Sequence, residues 1–447
     1  MIFTEPKINP LIVKTLGVLL LSLSIKLFYL SAISVSSLMS PDSPAYQSLA
    51  EGILTGQSYG SISEPVQGGF PADLQRPPGY PLFIYLVTTG KRVSSFQVAV
   101  IQIILSSLLA AALCFSISNL LSPYIGVMAG FFYAIDWVTT INSPLFMADT
   151  IYTVIINTCL IAWLYYFSYP KLYLIFIGGV LLGVAALIKP TAQFIIIPLI
   201  LVLIMQAHRR LVSILLLIVI YALLTLPWML RNSRQHGIFT LSSIAVVSLD
   251  FYVAEGALAG DKMTLTNTTA LDERMVKKAV YWDSLEVSPA VRKKMMEEEA
   301  WKVIRSHWLI VIKQSFEGFI RTCIGTGAAT FKSALAHDPG TFQNRLWGTI
   351  LPLIQIGFYW ILAAYAVLTQ RKFFVVNNTV FSLIVLTLIF SLLPSAMALG
   401  NARFRTHATP MLCLLASIGF INFLRQVRTF SLPLRNDKAK QKDNLSY

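Results

Sequence analysis

The sequence predicts an all-α polytopic membrane protein, and three observations predict it. Hydrophobic residues make up 55% of the 447 positions. Charged residues make up only 13%, about half of the roughly 25% that soluble domains carry. Several apolar runs exceed the ~18 residues that a bilayer-spanning helix needs. An ordinary cytosolic enzyme, a disordered chain and a disulfide-stapled secreted domain are thereby excluded. The four cysteines (Cys114, Cys159, Cys323, Cys413) form no CxxC pair, and the five histidines show no HExxH spacing. Neither a disulfide framework nor a zinc site is expected.

Apolar stretches place spans near 12–38, 94–121, 123–140, 145–167, 171–189, 191–206, 211–230, 346–369, 375–394 and 406–424. The first stretch is too long for the apolar core of a signal peptide and lacks a clear small-residue exit. The formal charge is +14, from 35 Lys and Arg against 21 Asp and Glu. Basic residues in short loops orient membrane spans, so much of this excess needs no nucleic-acid partner. They fall at Lys7, Lys171, His208-Arg209-Arg210, Arg371-Lys372 and in the tail at Arg425, Arg428, Arg435, Lys438, Lys440 and Lys442. Ten spans put all of these on one side, the cytoplasm, with both termini.

Two long segments, about Met39–Thr89 and Arg231–Arg345, then face outward, to periplasm or lumen. In the second, Ser288-Pro289 starts a helix with a partial apolar stripe of Val291, Met295, Trp301, Ile304 and Trp308. Trp308–Ala328 contains Lys313, Glu317 and Arg321 and reads as a helix lying in the interface. Asn267-Thr268-Thr269 is a chance-level sequon. The organisation expected is a membrane module over 1–230 with a first outer loop at 39–89, an outer region over 231–345, C-terminal spans over 346–424 and a basic tail over 425–447.

Charge near the outer ends of spans is costly and is usually kept for function. Five places carry it. Asp42 lies in Pro41-Asp42-Ser43-Pro44-Ala45-Tyr46 and can take a proton from a hydroxyl. Its bland alternative is a turn residue. Arg76 lies in a backbone stiffened by Pro77, Pro78 and Pro81 around Gly79 and Tyr80, and its planar fork of donors matches a phosphate or a lipid headgroup. Asp136 and Asp149 flank the connection between spans three and four. Asp149 either complements a helix dipole or joins Asp42, for acceptor binding or around a divalent metal. Lys189 interrupts an apolar stretch and either snorkels or faces a phosphate. Arg403 and Arg405 precede the last span on the outer side, against the positive-inside bias. Cations and acids on one membrane face fit a lipid with a phosphate head and a hydroxyl-bearing partner.

The ordered marks PDSPAY, RPPGYP, MADTIY, AALIKP, TLPWMLRNSRQHGIF and NARFRTHATPML resemble the GT-C superfamily of membrane glycosyltransferases. The likeness is closest to the bacterial dolichyl-phosphate-mannose–protein mannosyltransferase-like group (glycosyltransferase family 39) and its aminoarabinose-transferase relatives. The resemblance implies a GT-C-like bundle of about ten or more spans with short amphipathic helices in its outer loops. It implies a polyprenyl-phosphate sugar donor and an acceptor protein, lipid or glycan, in a multi-pass protein of the bacterial inner membrane acting on its outer face. It casts Asp42 as catalytic acid–base and Arg76, Lys189, Arg403 and Arg405 as donor-phosphate ligands. Asp149 matches the family's second-loop acid, and Tyr46 and Tyr80 join it as substrate-binding candidates. A divalent metal on Asp42 and Asp149 stays open, and no other cofactor is implied. The sequence departs from its relatives at Asp250-Phe251-Tyr252, where Asn is frequent, and at Asp149, where Glu is. A flippase of lipid-linked sugar, or a ligase using a diphosphate-linked donor, fits the same layout.

Overall fold

The computed structural model describes residues 9–60, 68–90, 92–205, 210–262, 268–335, 345–369, 379–397 and 400–431. Lys7, His208, Arg209, Asn267, Arg371, Lys372, Arg435, Lys438, Lys440 and Lys442 lie outside these residues.

The described residues are predominantly helical, with no β-strand among them. Asn9 starts α1 (Pro10–Ala32) by accepting from the Leu11 amide, with Pro10 in the first turn. Three short helices fill the first loop: α2 (Ser43–Leu54), α3 (Ala72–Gln75) and α4 (Gly79–Val87). The bundle continues through α5 (Ser95–Leu120), α6 (Pro123–Ala134), α7 (Trp137–Asn142), α8 (Ala148–Ser168), α9 (Leu172–Ile188), α10 (Ile196–Met205) and α11 (Arg210–His236). Small helices α12 (Ile244–Val247) and α13 (Glu255–Ala259) flank a π-helical turn at Ser248–Ala254. Then come α14 (Thr269–Asp283), α15 (Pro289–Ser306), α16 (Trp308–Ile324) and α17 (Ala328–Leu335). The chain closes with α18 (Leu351–Thr369), α19 (Thr379–Leu392) and α20 (Thr409–Ser431).

Among the described residues, six helices are long and apolar enough to cross a membrane: Pro10–Ala32, Ser95–Leu120, Ala148–Ser168, Leu211–His236, Leu346–Thr369 and Thr409–Val427. Four shorter apolar helices, Pro123–Ala134, Leu172–Ile188, Pro190–Met205 and Thr379–Ser395, stand at the remaining stretches read from the sequence. The protein is an integral membrane protein. In lipid, helix association rests on close packing and buried polar bonds rather than on water exclusion, and both are present. Gly126 and Gly130 let α6 approach α5 backbone to backbone, since a Cβ at Gly126 would lie 2.3 Å from the Ser118 nitrogen. Tyr359 donates to the Phe132 carbonyl at 2.8 Å, and the Gln355 amide to the Ile135 carbonyl at 2.8 Å, joining α18 to α6. Trp163, Tyr133 and Tyr359 lie in one continuous core through the bundle.

The loops have a separate core. Phe70 and Leu74 of the first loop pack with Ile238, Val246, Val247, Phe251, Trp282 and Met296 of the long segment. Buried Arg292 reinforces this, donating to the Trp282 carbonyl and to Leu285 at 2.6 Å. Ser288 caps α15 as expected, accepting from the Val291 amide. The buried face of α15 is Arg292, Met296 and Ala300, so Val291 and Trp301 of the expected stripe point outward. On α16, Gln314, Gly318, Thr322 and Cys323 face inward while Trp308, Leu309, Ile312 and Phe316 are exposed. That two-faced pattern suits an interfacial helix.

Candidate active site

The chain's turns bring the expected charges to one place at the loop-bearing end of the bundle. Asp42 stands at the start of α2, where Ser43 fixes the turn by donating to the Phe146 carbonyl at 2.7 Å. Arg76 follows α3 directly. Its Nη2 donates to Asp42 Oδ1 at 2.7 Å, and the guanidinium lies over the Tyr46 ring at 5.3 Å. Arg403 comes from a 3₁₀ turn at Ala402–Arg405 whose Asn401 caps it by accepting from the Arg403 amide. The Arg403 guanidinium reaches both carboxylates, at 3.4 Å from Asp42 Oδ2 and 3.9 Å from Asp149 Oδ2. It also points Nη1 at the Met147 sulfur, 3.0 Å away. Asp149, in the first turn of α8, pairs with Lys189 at 2.6 Å. Lys189 sits where α9 ends, 5.7 Å from the Tyr152 ring and 5.6 Å from that of Phe404.

Three cations and two carboxylates thus form one chain, Arg76–Asp42–Arg403–Asp149–Lys189. Burial opposes the charge on Arg403, but Asp149 and Asp42 outweigh it and hold the guanidinium above its ordinary range. Burial pushes the Tyr46 phenol up to about 12, so Tyr46 is a neutral platform beneath Arg76. Arg76 Nε is buried and has no partner among the described residues. A buried donor left open costs about 1–3 kcal/mol, and here it lies on the guanidinium that already grips Asp42.

Two residues expected here are placed elsewhere. Arg405 turns away from Arg403, because two residues along a 3₁₀ turn stand about 120° apart. It is buried, donating to the carbonyls of Thr322 and Cys323 at 2.7 and 2.8 Å and of Gly325 at 3.0 Å. There it caps the end of α16. Tyr80 is fully buried behind Tyr46, with ring centroids 4.9 Å apart, and its hydroxyl is used on Gln102 at 2.9 Å. It supports Tyr46 from behind and exposes no surface of its own. Asp136 is also apart, capping α7 by accepting from the Thr139 amide at 2.8 Å.

Asp42 and Asp149 are each already paired with a cation, and Arg403 lies between them. Among the described residues no group of three or more His, Cys, Asp or Glu comes together as a metal cage. The arrangement does not fit a divalent ion shared by the two acids.

Sequence reasoning missed Tyr252, on the π-helical turn. After burial, the charges acting on its hydroxyl are Asp42, Arg403, Arg76 and Asp272, so it lies within electrostatic reach of the centre. It also missed Asp73 and Arg231, which form an ion pair beside Arg76. An arginine closing an apolar run, as in Pro227-Trp228-Met229-Leu230-Arg231, was the available signal.

The family model described as dolichyl-phosphate-mannose-protein mannosyltransferase matches residues 75–230. No curated protein sequence matches the chain at a significant level. Among solved structures, the Archaeoglobus fulgidus oligosaccharyltransferase in its apo form aligns with a TM-score of 0.57 at 12% identity, over 96% of this chain and 52% of that one. The same enzyme tethered to an acceptor peptide aligns with a TM-score of 0.51 at 12% identity, over 93% and 50%. ArnT from Cupriavidus metallidurans, bound to undecaprenyl phosphate, overlaps less well, at a TM-score of 0.40 and 12% identity over 92% and 77%. The chain spans about half the length of the oligosaccharyltransferase it matches. The chain thus shares the fold of the oligosaccharyltransferase, and over residues 75–230, about a third of its length, it matches the mannosyltransferase family model.

Proposed function

We propose that the protein is a membrane glycosyltransferase that moves a sugar from a polyprenyl-phosphate donor to an acceptor hydroxyl, with inversion, on the outer face of a bacterial inner membrane. The carrying observation is the chain of five charges. Three cations against two carboxylates leave an excess of one positive charge. A sugar phosphodiester brings one negative charge and accepts hydrogen bonds, including one from the open Arg76 Nε. The matched family's description names a dolichyl-phosphate sugar as donor, which supports the same chemical class here.

In this reading the phosphate takes over the Arg76 fork and frees Asp42. The acceptor oxygen forms a bond to the anomeric carbon while the bond from that carbon to the phosphate oxygen breaks. Asp42 receives the acceptor proton. The leaving phosphate becomes a monoester with a second negative charge, which Arg76 and Arg403 meet, with Lys189 nearby. A preorganised donor at such a developing charge is worth about 2.7–4 kcal/mol, so two of them match or exceed base catalysis of about 10²–10⁴-fold. Asp149 holds Lys189 and Arg403 in place. The prenyl chain lies along the outer spans and the apolar face of α16.

The test is to incubate membranes containing the protein with radiolabelled polyprenyl-phosphate sugars and follow the label. Label appearing in an acceptor fraction, dependent on the protein, is the expected result. Donor that crosses the bilayer unaltered would identify a flippase and overturn the reading.

A further inference from the structure

Arg76 owes its aim to a second, deeper group of residues that does not touch Asp42. The helix α3 is only four residues long, and Arg76 is its C-cap. A helix that short leaves its last carbonyls open, and those of Leu74, Gln75 and Arg76 are taken by donors from outside it. The Ser243 amide donates to the Leu74 carbonyl at 3.1 Å. The Ser242 hydroxyl donates to Gln75 at 2.6 Å, and the Tyr59 hydroxyl to the carbonyl of Arg76 itself at 2.9 Å. The side chain of Asp73, three residues before Arg76, is the anchor. It pairs with Arg231 at the end of α11 and with His236 Nε2 at 2.9 Å.

This group is built tightly. Asp73 is 5% exposed. Gly60, at a φ of +92°, closes over it, and a Cβ there would lie 2.5 Å from the Asp73 carboxyl carbon. Burial pushes the Asp73 carboxyl up, but the bonds from His236 and Arg231 outweigh it and keep the group below its ordinary range. Arg231 is itself held, stacked on Trp228 at 4.8 Å and donating to the Tyr59 carbonyl at 3.1 Å. Tyr59, which fixes Arg76, is thus fixed by the same arginine that fixes Asp73.

We infer that Asp73, clamped by Arg231 and His236, is a positioning residue that sets the direction of the Arg76 guanidinium, together with Tyr59 and Ser242. The inference rests on the proposed glycosyl transfer for its kinetic consequence. Its geometric consequence stands without it. Arg231 in this account serves through Arg76 and does not bind the donor.

A misplacement of about 1 Å at a reacting group costs on the order of 10²-fold. Asp73→Asn keeps the volume but loses the charge that holds Arg231. It should lower kcat for sugar transfer by about 10²-fold with a smaller change in donor KM. In an Arg76→Ala background the same substitution should have no further effect, because nothing remains to be aimed. Tyr59→Phe, which removes one hydroxyl and threatens folding least, should show the same dependence on Arg76 at smaller size. A readout free of turnover is the rate at which phenylglyoxal modifies Arg76, followed by mass spectrometry. Release from its mooring should speed modification in Asp73→Asn and Tyr59→Phe. Losses that multiply with Arg76→Ala, or unchanged modification in both variants, would overturn the inference and make Arg231 a direct substrate ligand. If the wild-type protein transfers no sugar, the glycosyltransferase reading has failed instead, and the modification rates alone decide the positioning role.

Discussion

Replacing Arg76 by Lys separates two roles that charge alone confuses. The substitution keeps one positive charge at nearly the same place. It removes the planar fork, and with it both the Nη2 bond to Asp42 at 2.7 Å and the open Nε. The flat stack over Tyr46 at 5.3 Å is lost as well. If Arg76 grips the donor phosphate through two N–H groups, lysine supplies only one directed bond in return. Loss of one preorganised donor costs about 2.7–4 kcal/mol, or about 10²–10³ in kcat. The charge itself persists, so donor binding should weaken less than turnover does. The assay is single-turnover transfer from a labelled polyprenyl-phosphate sugar by purified protein in nanodiscs, over a range of donor concentrations. Arg76→Lys should fall close to Arg76→Ala in kcat. Wild-type turnover in Arg76→Lys would refute the bidentate grip and leave Arg76 as a generic interfacial cation.

Other consequences can be checked in parallel. Arg403→Ala combined with Arg76→Ala should cost less than the sum of the single losses, since both act on one phosphate, and strict additivity in the same transfer assay would argue for separate sites. Lys189→Met leaves the buried Asp149 carboxylate only the looser Arg403 contact at 3.9 Å, so thermal unfolding should show a loss of up to about 3–5 kcal/mol that Asp149→Asn in the same chain largely restores. Asp250 is buried beside Lys278 and accepts from Trp282 at 2.7 Å, and burial raises its carboxyl to about 6. The folded state therefore holds this proton more tightly than the unfolded chain does, so the stability it contributes is full below about pH 4 and is lost as pH rises through 6. The size is about 3 kcal/mol, and Asp250→Asn should flatten this part of a melting-temperature profile between pH 4 and 7. A cysteine placed at Thr268 should react with an impermeant thiol reagent on intact cells. The four native cysteines are buried, so labelling only after permeabilisation would reverse the proposed orientation.

The bundle was legible because its signal is simple. A run of apolar residues long enough to span lipid has few other fates, and each of the ten stretches holds an apolar helix. The convergence of Asp42, Arg76, Asp149, Lys189 and Arg403 was legible for a related reason, since charge at span ends is expensive and each residue announced itself against an apolar background. Arg405 misled because sequence proximity to Arg403 says nothing about direction in a 3₁₀ turn, and its partners are backbone carbonyls of α16 that leave no trace in composition. Tyr80 misled because a tyrosine in a proline-rich turn reads the same whether its hydroxyl meets substrate or, as here, Gln102. Tyr252 and Asp73 were illegible for a different reason. Their importance comes from long-range packing of the first loop on the segment after α11, which no local pattern encodes.

The central claim is that Asp42 removes the acceptor proton while the surrounding cations receive the donor phosphate. Its most direct measurement is transfer by Asp42→Asn in nanodiscs, alongside binding of polyprenyl phosphate to the same variant. Asparagine keeps the shape but cannot take the proton, so transfer should fall by about 10²–10⁴-fold. Binding of the phosphate should hold or tighten, since Arg76 and Arg403 lose a competing carboxylate. Transfer at the wild-type rate in Asp42→Asn would contradict the account.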